Sequence, residues 1–241
     1  MKTALITGGT KGIGKAVALE FLKQGYEVVL NYHEDEQAAL ATQEEFNMLG
    51  YCPVLMRADV SDEMQVRQMF KEFFGIYEKL DVLVNNAGIS LVRVIQETSQ
   101  SDWDRVFGVN VKGMFLCCRA VTDRMVGNGG GCIINVSSIW GEVGASCEVA
   151  YSASKGAVIA FTKALSKELA PSKVRVNCVS PGVIDTGMNS HLTGDEMEQL
   201  INEIPIGRIG YPEDLAKAFL YLAEADYVTG EVLSVGGGFA K

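Results

Sequence analysis

The sequence predicts an α/β fold: a doubly wound sheet of seven parallel strands with helices on both faces. Three observations predict it. Short apolar runs alternate with helix-period stretches along the whole chain. The first run ends in a glycine-rich turn that opens a helical pattern. The 241 residues also pass without a linker, a repeat or a low-complexity segment, so they read as one domain, 1–241. Parallel strands need crossover connections, and a helix after each strand supplies them.

The first strand is expected at 4–7, followed by Thr7-Gly8-Gly9-Thr10-Lys11-Gly12-Ile13-Gly14 and a helix at 13–24. Glycines here let the backbone turn tightly and approach a pyrophosphate, whose charge meets the helix N-terminus. The place of the loop, after a strand and before a helix, separates it from an ordinary turn. Gly8, Thr10, Lys11, Gly12, Ile13 and Gly14 are therefore candidate cofactor contacts in a single-domain Rossmann fold.

The second strand, 28–31, ends at Asn31. NAD-binding proteins usually carry Asp or Glu there for the ribose 2′-hydroxyl. Asn31 brings no carboxylate to repel a 2′-phosphate, and Lys11 adds a cation, so NADP(H) is the expected cofactor. Glu34 and Asp35 oppose that reading, and Lys11 has the plainer alternative of a solvated lysine. A helix is expected at 36–49 and a third strand at 54–57. Asp59 and Val60 follow that strand. The Asp59 carboxylate either accepts from an adenine amino group or caps the helix at 63–78.

The fourth strand, 82–85, runs into Asn86-Ala87-Gly88, whose small residues let the backbone lie against a cofactor. A single long helix is expected at 103–126, with Asn110 inside it. That amide either bonds backbone or interrupts the helix and holds a water relaying protons from Lys155. The stretch is apolar on more than one side, so it needs a second buried face, and a partner helix from another copy would supply one.

The strand at 133–136 delivers Ser138, and the helix at 150–169 opens with Tyr151. Tyr151 and Lys155 are four apart and share a helix face. A hydroxyl, a phenol and an ammonium together suit proton delivery to a carbonyl oxygen that is becoming an alkoxide. Bringing a tyrosine from about 10 to neutral pH takes roughly 4 kcal/mol, and a cation within about 4–6 Å supplies one to three pKa units. Ser138 can stabilise the developing charge. A strand at 174–179, a helix at 213–223 and a last strand at 232–235 complete the pattern.

Composition narrows the partners. A net charge of −9 argues against nucleic acid and anionic membrane. No apolar run reaches the roughly 18 residues of a membrane span, and the chain enters its first strand directly, which predicts a cytoplasmic protein. Six scattered cysteines and two histidines offer no metal-ligand spacing, so no metal site is expected and the thiols should be free and mostly buried.

With these motifs in order, the chain resembles the classical short-chain dehydrogenase/reductase family over essentially its whole length. Residues 7–14 match that family's cofactor loop and residues 85–88 its Asn-Asn-Ala-Gly motif. Asn110, Ser138, Tyr151 and Lys155 match its catalytic tetrad, with the usual thirteen-residue step from serine to tyrosine. Pro181, Gly182, Ile184 and Thr186 match the segment that holds the nicotinamide. The resemblance implies that Tyr151 is the acid/base, that Ser138 orients the carbonyl and that Asn110 supports a proton relay. It implies that Lys155 binds the nicotinamide ribose and lowers the Tyr151 pKa.

Within that family the segments 206–213 and 228–238 are most similar to bacterial 3-oxoacyl-[acyl-carrier-protein] reductases. This implies NADPH-dependent reduction of a ketone in fatty acid biosynthesis, by a homotetramer built through the two long helices and the last strand. One departure opposes carrier docking. Family members commonly place basic residues at 127–131 and 171–173, and here only Lys173 is basic. The loop at 138–149 resembles a subgroup that reduces a 5-aminopentanone group on elongation factor P. Glu142 and Glu148 either suit such an aminated substrate or are solvated loop charges. A reductase of a free small ketone (sugar or steroid) and a non-catalytic NADP(H) sensor are the remaining alternatives, and the intact tetrad speaks against the sensor.

Overall fold

A computed structural model describes residues 1–187 and 194–239. His191, Ala240 and Lys241, the last two part of a glycine-rich tail expected at an oligomer axis, lie outside the described residues. Seven strands form one parallel sheet: β1 (Thr3–Ile6), β2 (Glu27–Tyr32), β3 (Val54–Arg57), β4 (Val82–Asn85), β5 (Gly131–Val136), β6 (Val174–Pro181) and β7 (Val232–Val235), in the spatial order β3-β2-β1-β4-β5-β6-β7. The expected architecture is the observed one.

Strand alternation sorts the core into two layers. Leu5, Val29, Leu83, Ile133, Val176 and Cys178 face one side, under α3 (Glu63–Ile76), α5 (Met114–Gly127) and α7 (Val149–Leu169). Ala4, Ile6, Val28, Leu30, Val84 and Ile134 face the other, under α1 (Gly12–Lys23) and α9 (Pro212–Glu224). Phe21, Phe46, Phe73 and Phe219 are fully buried. Each contributes about 1.5–3 kcal/mol of burial. All six cysteines are free, and four of them are buried.

Helix starts follow local chemistry. Asp35 caps α2 (Glu36–Met48) by accepting from the Ala38 amide. Asp62, not Asp59, caps α3, accepting from the Met64 and Gln65 amides. Ser99 and Asp102 form a reciprocal capping box on α4 (Gln100–Phe107).

The long helix expected at 103–126 is two helices. A π-helical turn, Gly108–Gly113, separates α4 from α5 and carries Asn110. Its last residue, Gly113, packs closely: a Cβ there would lie 2.8 Å from the Val60 side chain. Among the described residues, four shorter elements were not expected: 3-10 turns at Ile95–Glu97 and Ala170–Ser172, α6 (Trp140–Val143) and α8 (Gly194–Glu203). Among the described residues, no helix is long and apolar enough to cross a membrane.

Candidate active site

The strand order reverses between β1 and β4, so the loops leaving these strands separate and open a cleft at the carboxyl edge of the sheet. The cleft holds about 1150 Å³, above the usual range for a small-molecule site. Its lining includes Gly8, Lys11, Gly12, Ile13, Asn86, Ala87, Gly88, Ser138, Tyr151, Lys155, Pro181, Gly182, Ile184 and Thr186. Residues scattered from position 8 to position 186 thus line one cleft.

The glycine loop is braced from below. Asn86 Nδ2 donates to the Thr7 and Gly8 carbonyls at 3.0 Å each, while Thr7 Oγ1 accepts from the Asn86 and Ala87 amides at 3.0 Å. Gly8 and Gly12 have φ of 60° and 48°, which favours glycine. A Cβ on Gly14 would fall 2.3 Å from the Gly8 carbonyl oxygen and 2.6 Å from Asn86 Nδ2. The loop can therefore fold only with glycine at 14, and it presents bare backbone at the start of α1, the geometry a pyrophosphate requires. On this ground the residues fit a dinucleotide. Gly8, Gly12, Ile13 and the Asn86–Gly88 segment would hold it, with Thr186 over Gly12, where a Cβ would come within 3.3 Å of the threonine methyl.

Four nominated residues have other duties. Asn31 is buried and does not line the cleft. Its Oδ1 accepts from the Gly8 amide at 3.4 Å. Its Nδ2 donates to the Tyr32, Met56 and Ala58 carbonyls at 3.3, 3.3 and 3.0 Å. Asn31 supports the loop from the interior, and Tyr32, half-buried, is the strand's last residue. The expectation that Asn31 stands where a 2′-phosphate arrives is corrected accordingly. Asp59 Oδ1 accepts from the Ser61 amide and hydroxyl at 2.8 Å each. Val60 is buried against the π turn. Thr10 is buried too, with its carbonyl accepting from Thr42 at 2.9 Å.

The catalytic cluster lines the same cleft. Ser138 and Tyr151 are buried at the cleft floor. The Ser138 hydroxyl accepts from the Trp140 amide at 3.2 Å and lies near enough to the Tyr151 phenol to favour its ionised form. Helix α7 is fixed to the sheet by a buried amide chain: Asn85 Nδ2 donates to Asn135 Oδ1, and Asn135 Nδ2 donates to Thr162 Oγ1, both at 2.9 Å. Ser137 Oγ donates to the Lys155 carbonyl at 2.8 Å. Gly141 allows that approach, since a Cβ there would lie 2.6 Å from the Lys155 carbonyl carbon.

Lys155 is buried; its Nζ donates to the Val136 carbonyl at 2.9 Å and sits 5.6 Å from the centre of the Tyr151 ring. Burial pulls its pKa down to about 8, only partly opposed by Cys178. Burial also pushes Tyr151 up to about 12, with Glu148 adding to the rise and the Ser138 hydrogen bond opposing it. Burial dominates the Tyr151 shift, and the Lys155 ammonium is directed at the Val136 carbonyl.

Asn110 Oδ1 accepts from the Ile89 amide at 2.8 Å, and its Nδ2 donates to the Ile89 carbonyl at 2.9 Å and to Ser154 Oγ at 3.0 Å. Both amide hydrogens are used, leaving one acceptor lone pair. A Cβ on Gly88 would meet Asn110 Oδ1 at 3.2 Å and Lys155 Nζ at 3.3 Å, so both polar groups close on the same glycine. Glu142, by contrast, accepts from Ser234 at 2.8 Å and does not line the cleft, whereas Glu148 does. The cleft also includes Leu91, Val92, Asp102, Arg105 and Leu200, which sequence reasoning did not nominate. They come from loops and helix ends with no motif of their own.

Fold and cleft are those of a dinucleotide-dependent oxidoreductase. Comparison with known proteins narrows this class. A family model described as enoyl-(acyl carrier protein) reductase matches residues 8–240. The 3-oxoacyl-[acyl-carrier-protein] reductase FabG of Staphylococcus aureus (strain N315) is 38% identical over 239 residues, 98% of this chain and 97% of that one. The uncharacterized oxidoreductase YmfI of Bacillus subtilis (strain 168) is 39% identical over 241 residues, 99% and 98% of the two chains. The crystal structure of a gluconate 5-dehydrogenase from Burkholderia cenocepacia J2315, in complex with NADP and tartrate, superposes with a TM-score of 0.93 at 32% identity, covering 99% of this chain and 94% of that one. The chain belongs to the short-chain dehydrogenase/reductase family. It is an oxidoreductase that works between CH–OH and C=O with a nicotinamide dinucleotide.

Proposed function

We propose that this protein is an NADPH-dependent reductase of 3-oxoacyl groups on acyl carrier protein, formed by a single 241-residue domain. The observation that carries the reading is the Ser138–Tyr151 hydroxyl pair beside buried Lys155 on the floor of a dinucleotide cleft. The relatives named as 3-oxoacyl reductases give the substrate class, and the neighbour in complex with NADP supports the cofactor. When bound, the reduced cofactor supplies the hydride for the carbonyl carbon. Ser138 holds the carbonyl oxygen, and Tyr151 gives it the phenolic proton. A phenol at about 12 is fully protonated at neutral pH, so the donor is loaded, and it remains more acidic than the alcohol it produces. Asn110 keeps the 86–89 loop and α7 in register through Ile89 and Ser154.

A second reading has one specific support. Glu148 lies in the cleft close enough to raise the Tyr151 pKa, and the carrier-docking stretches offer only Lys173. These features favour an aminated ketone, such as the 5-aminopentanone on elongation factor P, over an acidic carrier. NADPH oxidation with acetoacetyl carrier protein, aminopentanone-modified elongation factor P and a free β-ketoester, run in parallel, decides between them. Turnover of the ester alone would overturn both protein-bound readings, and no turnover would leave the sensor alternative.

The site is expected to work within a cytoplasmic homotetramer. Trp103, Phe115 and Val126 are large exposed apolar residues on α4 and α5, and a partner helix would cover them. Sedimentation equilibrium at micromolar concentration tests this, and a single species at monomer mass would rule it out.

A further inference from the structure

Lys11 and Asp35 belong to different helix starts. Lys11 is the N-cap residue of α1 and lines the cleft. Asp35 is the N-cap residue of α2, with its Oδ1 accepting from the Ala38 amide at 2.9 Å. The two side chains meet: Lys11 Nζ forms an ion pair with Asp35 Oδ2, and both remain largely exposed, at 60% and 49%. Among the described residues this is the ion pair that Lys11 makes. Nearby on this edge, His33 lies 3.9 Å from Glu34 and 3.7 Å from Asp59, and Arg57 Nε donates to the His33 carbonyl at 3.0 Å.

We propose that Asp35 sets the degree of cofactor discrimination, by competing with the 2′-phosphate of NADP(H) for Lys11. This rests on the NADPH reading above. A phosphate that recruits Lys11 has to draw the ammonium away from Asp35 or share it, and in either case it meets the carboxylate's negative charge. NADH carries no 2′-phosphate, so the competition does not touch it. The Lys11 hydrogen bond, aided by the Ala38 amide, holds the Asp35 pKa below the ordinary carboxylate value, so the competitor is charged throughout the neutral range. Asp35 thereby does indirectly what a carboxylate at the end of β2 does directly in NAD-binding proteins.

The test is direct titration of NADPH and NADH, by calorimetry or nicotinamide fluorescence, into the full-length protein and its Asp35→Asn, Lys11→Ala and doubly substituted forms. Asparagine is as good an N-cap as aspartate, so Asp35→Asn removes the charge and keeps α2. Asp35→Ser is the second variant on the same ground. The expected result is an NADPH affinity tighter by about two- to fivefold, the scale of an exposed ion pair, with NADH unchanged. The gain should shrink as salt is raised and vanish in the Lys11→Ala background. An unchanged NADPH affinity in Asp35→Asn, or equal shifts for both cofactors, overturns the proposal. If Lys11→Ala selectively weakens NADPH and Asp35→Asn does nothing, the competition alone fails. If Lys11→Ala leaves the NADPH-to-NADH ratio intact, the reading of Lys11 as the phosphate's cation fails with it.

Discussion

Replacing Lys155 with methionine should inactivate the enzyme and stabilise it. The side chain is 4% exposed, and burial lowers its pKa from 10.5 to about 8. At 1.36 kcal/mol per unit, holding the ammonium charged inside the fold at pH 7 costs about 3 kcal/mol. Methionine fills a similar volume without that cost. Against it stands the lost hydrogen bond to the Val136 carbonyl, worth about 1–3 kcal/mol if the acceptor is left unpaired. The net is a gain of about 0–2 kcal/mol, or a Tm higher by up to about 8 °C in a chain of this size.

The pH dependence isolates the cause. Below pH 8 the lysine is charged in both folded and unfolded states, and the full penalty applies. Between about 8 and 10.5 the folded state gives up its proton while the unfolded state keeps it. The unfolded state then binds more protons, so the parent protein gains stability as pH rises. The methionine variant has no such gain. Its advantage should therefore shrink by about 3 kcal/mol between pH 7 and 10.5 and reverse sign. Urea unfolding of both proteins at pH 7, 8, 9 and 10 measures this, and titrating groups not coupled to Lys155, as Cys178 is, cancel in the difference. A stability gap that stays flat across the series would refute the reasoning, as would a variant more than about 1 kcal/mol less stable than the parent at pH 7.

Other substitutions probe the remaining parts. Tyr151→Phe keeps the ring and removes the proton, so turnover should fall by about 10²–10⁴-fold while NADPH still binds; retention of more than about a tenth of the activity in a steady-state assay would remove Tyr151 from its role. Gly14→Ala drives a methyl into the Gly8 carbonyl and Asn86, so NADPH titration should show binding lost, and unchanged affinity would mean the loop is not the cradle. Asn31→Asp places a carboxylate against three carbonyl oxygens, so it should lower stability by about 3 kcal/mol or more rather than switch the cofactor; a Tm near the parent's, with NADH now preferred, would restore Asn31 to the cofactor's edge.

The alternation of seven strands with helices was legible because it recurs along the chain, and each crossover leaves its own period. The motif residues were legible for a different reason. Gly14 and Gly88 stand where a methyl would strike backbone or a polar group, so the chemistry constrains residue type itself. The π turn was not legible. Residues 103–126 keep a helical apolar pattern across it, and the contact made at its end, Gly113 on Val60, joins residues more than fifty positions apart in sequence. Nor could the ordinary values of a tyrosine and a lysine reveal which way their pKa values move. The Lys155 ammonium turns to Val136, a contact fixed by how α7 lies on β5.

Asn31 shows most clearly why a correct motif can yield the wrong residue. The reading looked to the end of β2, where such folds recognise the cofactor's ribose. It took the last polar residue of the apolar run as that end. In a half-exposed strand, polar and apolar residues alternate and reveal which side chains turn outward. A strand covered on both faces is apolar throughout, so the alternation is hidden. Val28, Val29 and Leu30 are all buried, although Val28 and Leu30 belong to one core layer and Val29 to the other. Counting by two from Val29 carries Asn31 into the layer beneath α3 and α5, where it meets the Met56 and Ala58 carbonyls, and sends Tyr32 to the opposite face. One residue of register therefore separates a specificity residue from a structural amide. Only the partner strand fixes that register: Asn31 pairs with Met56, and Tyr32 with Arg57.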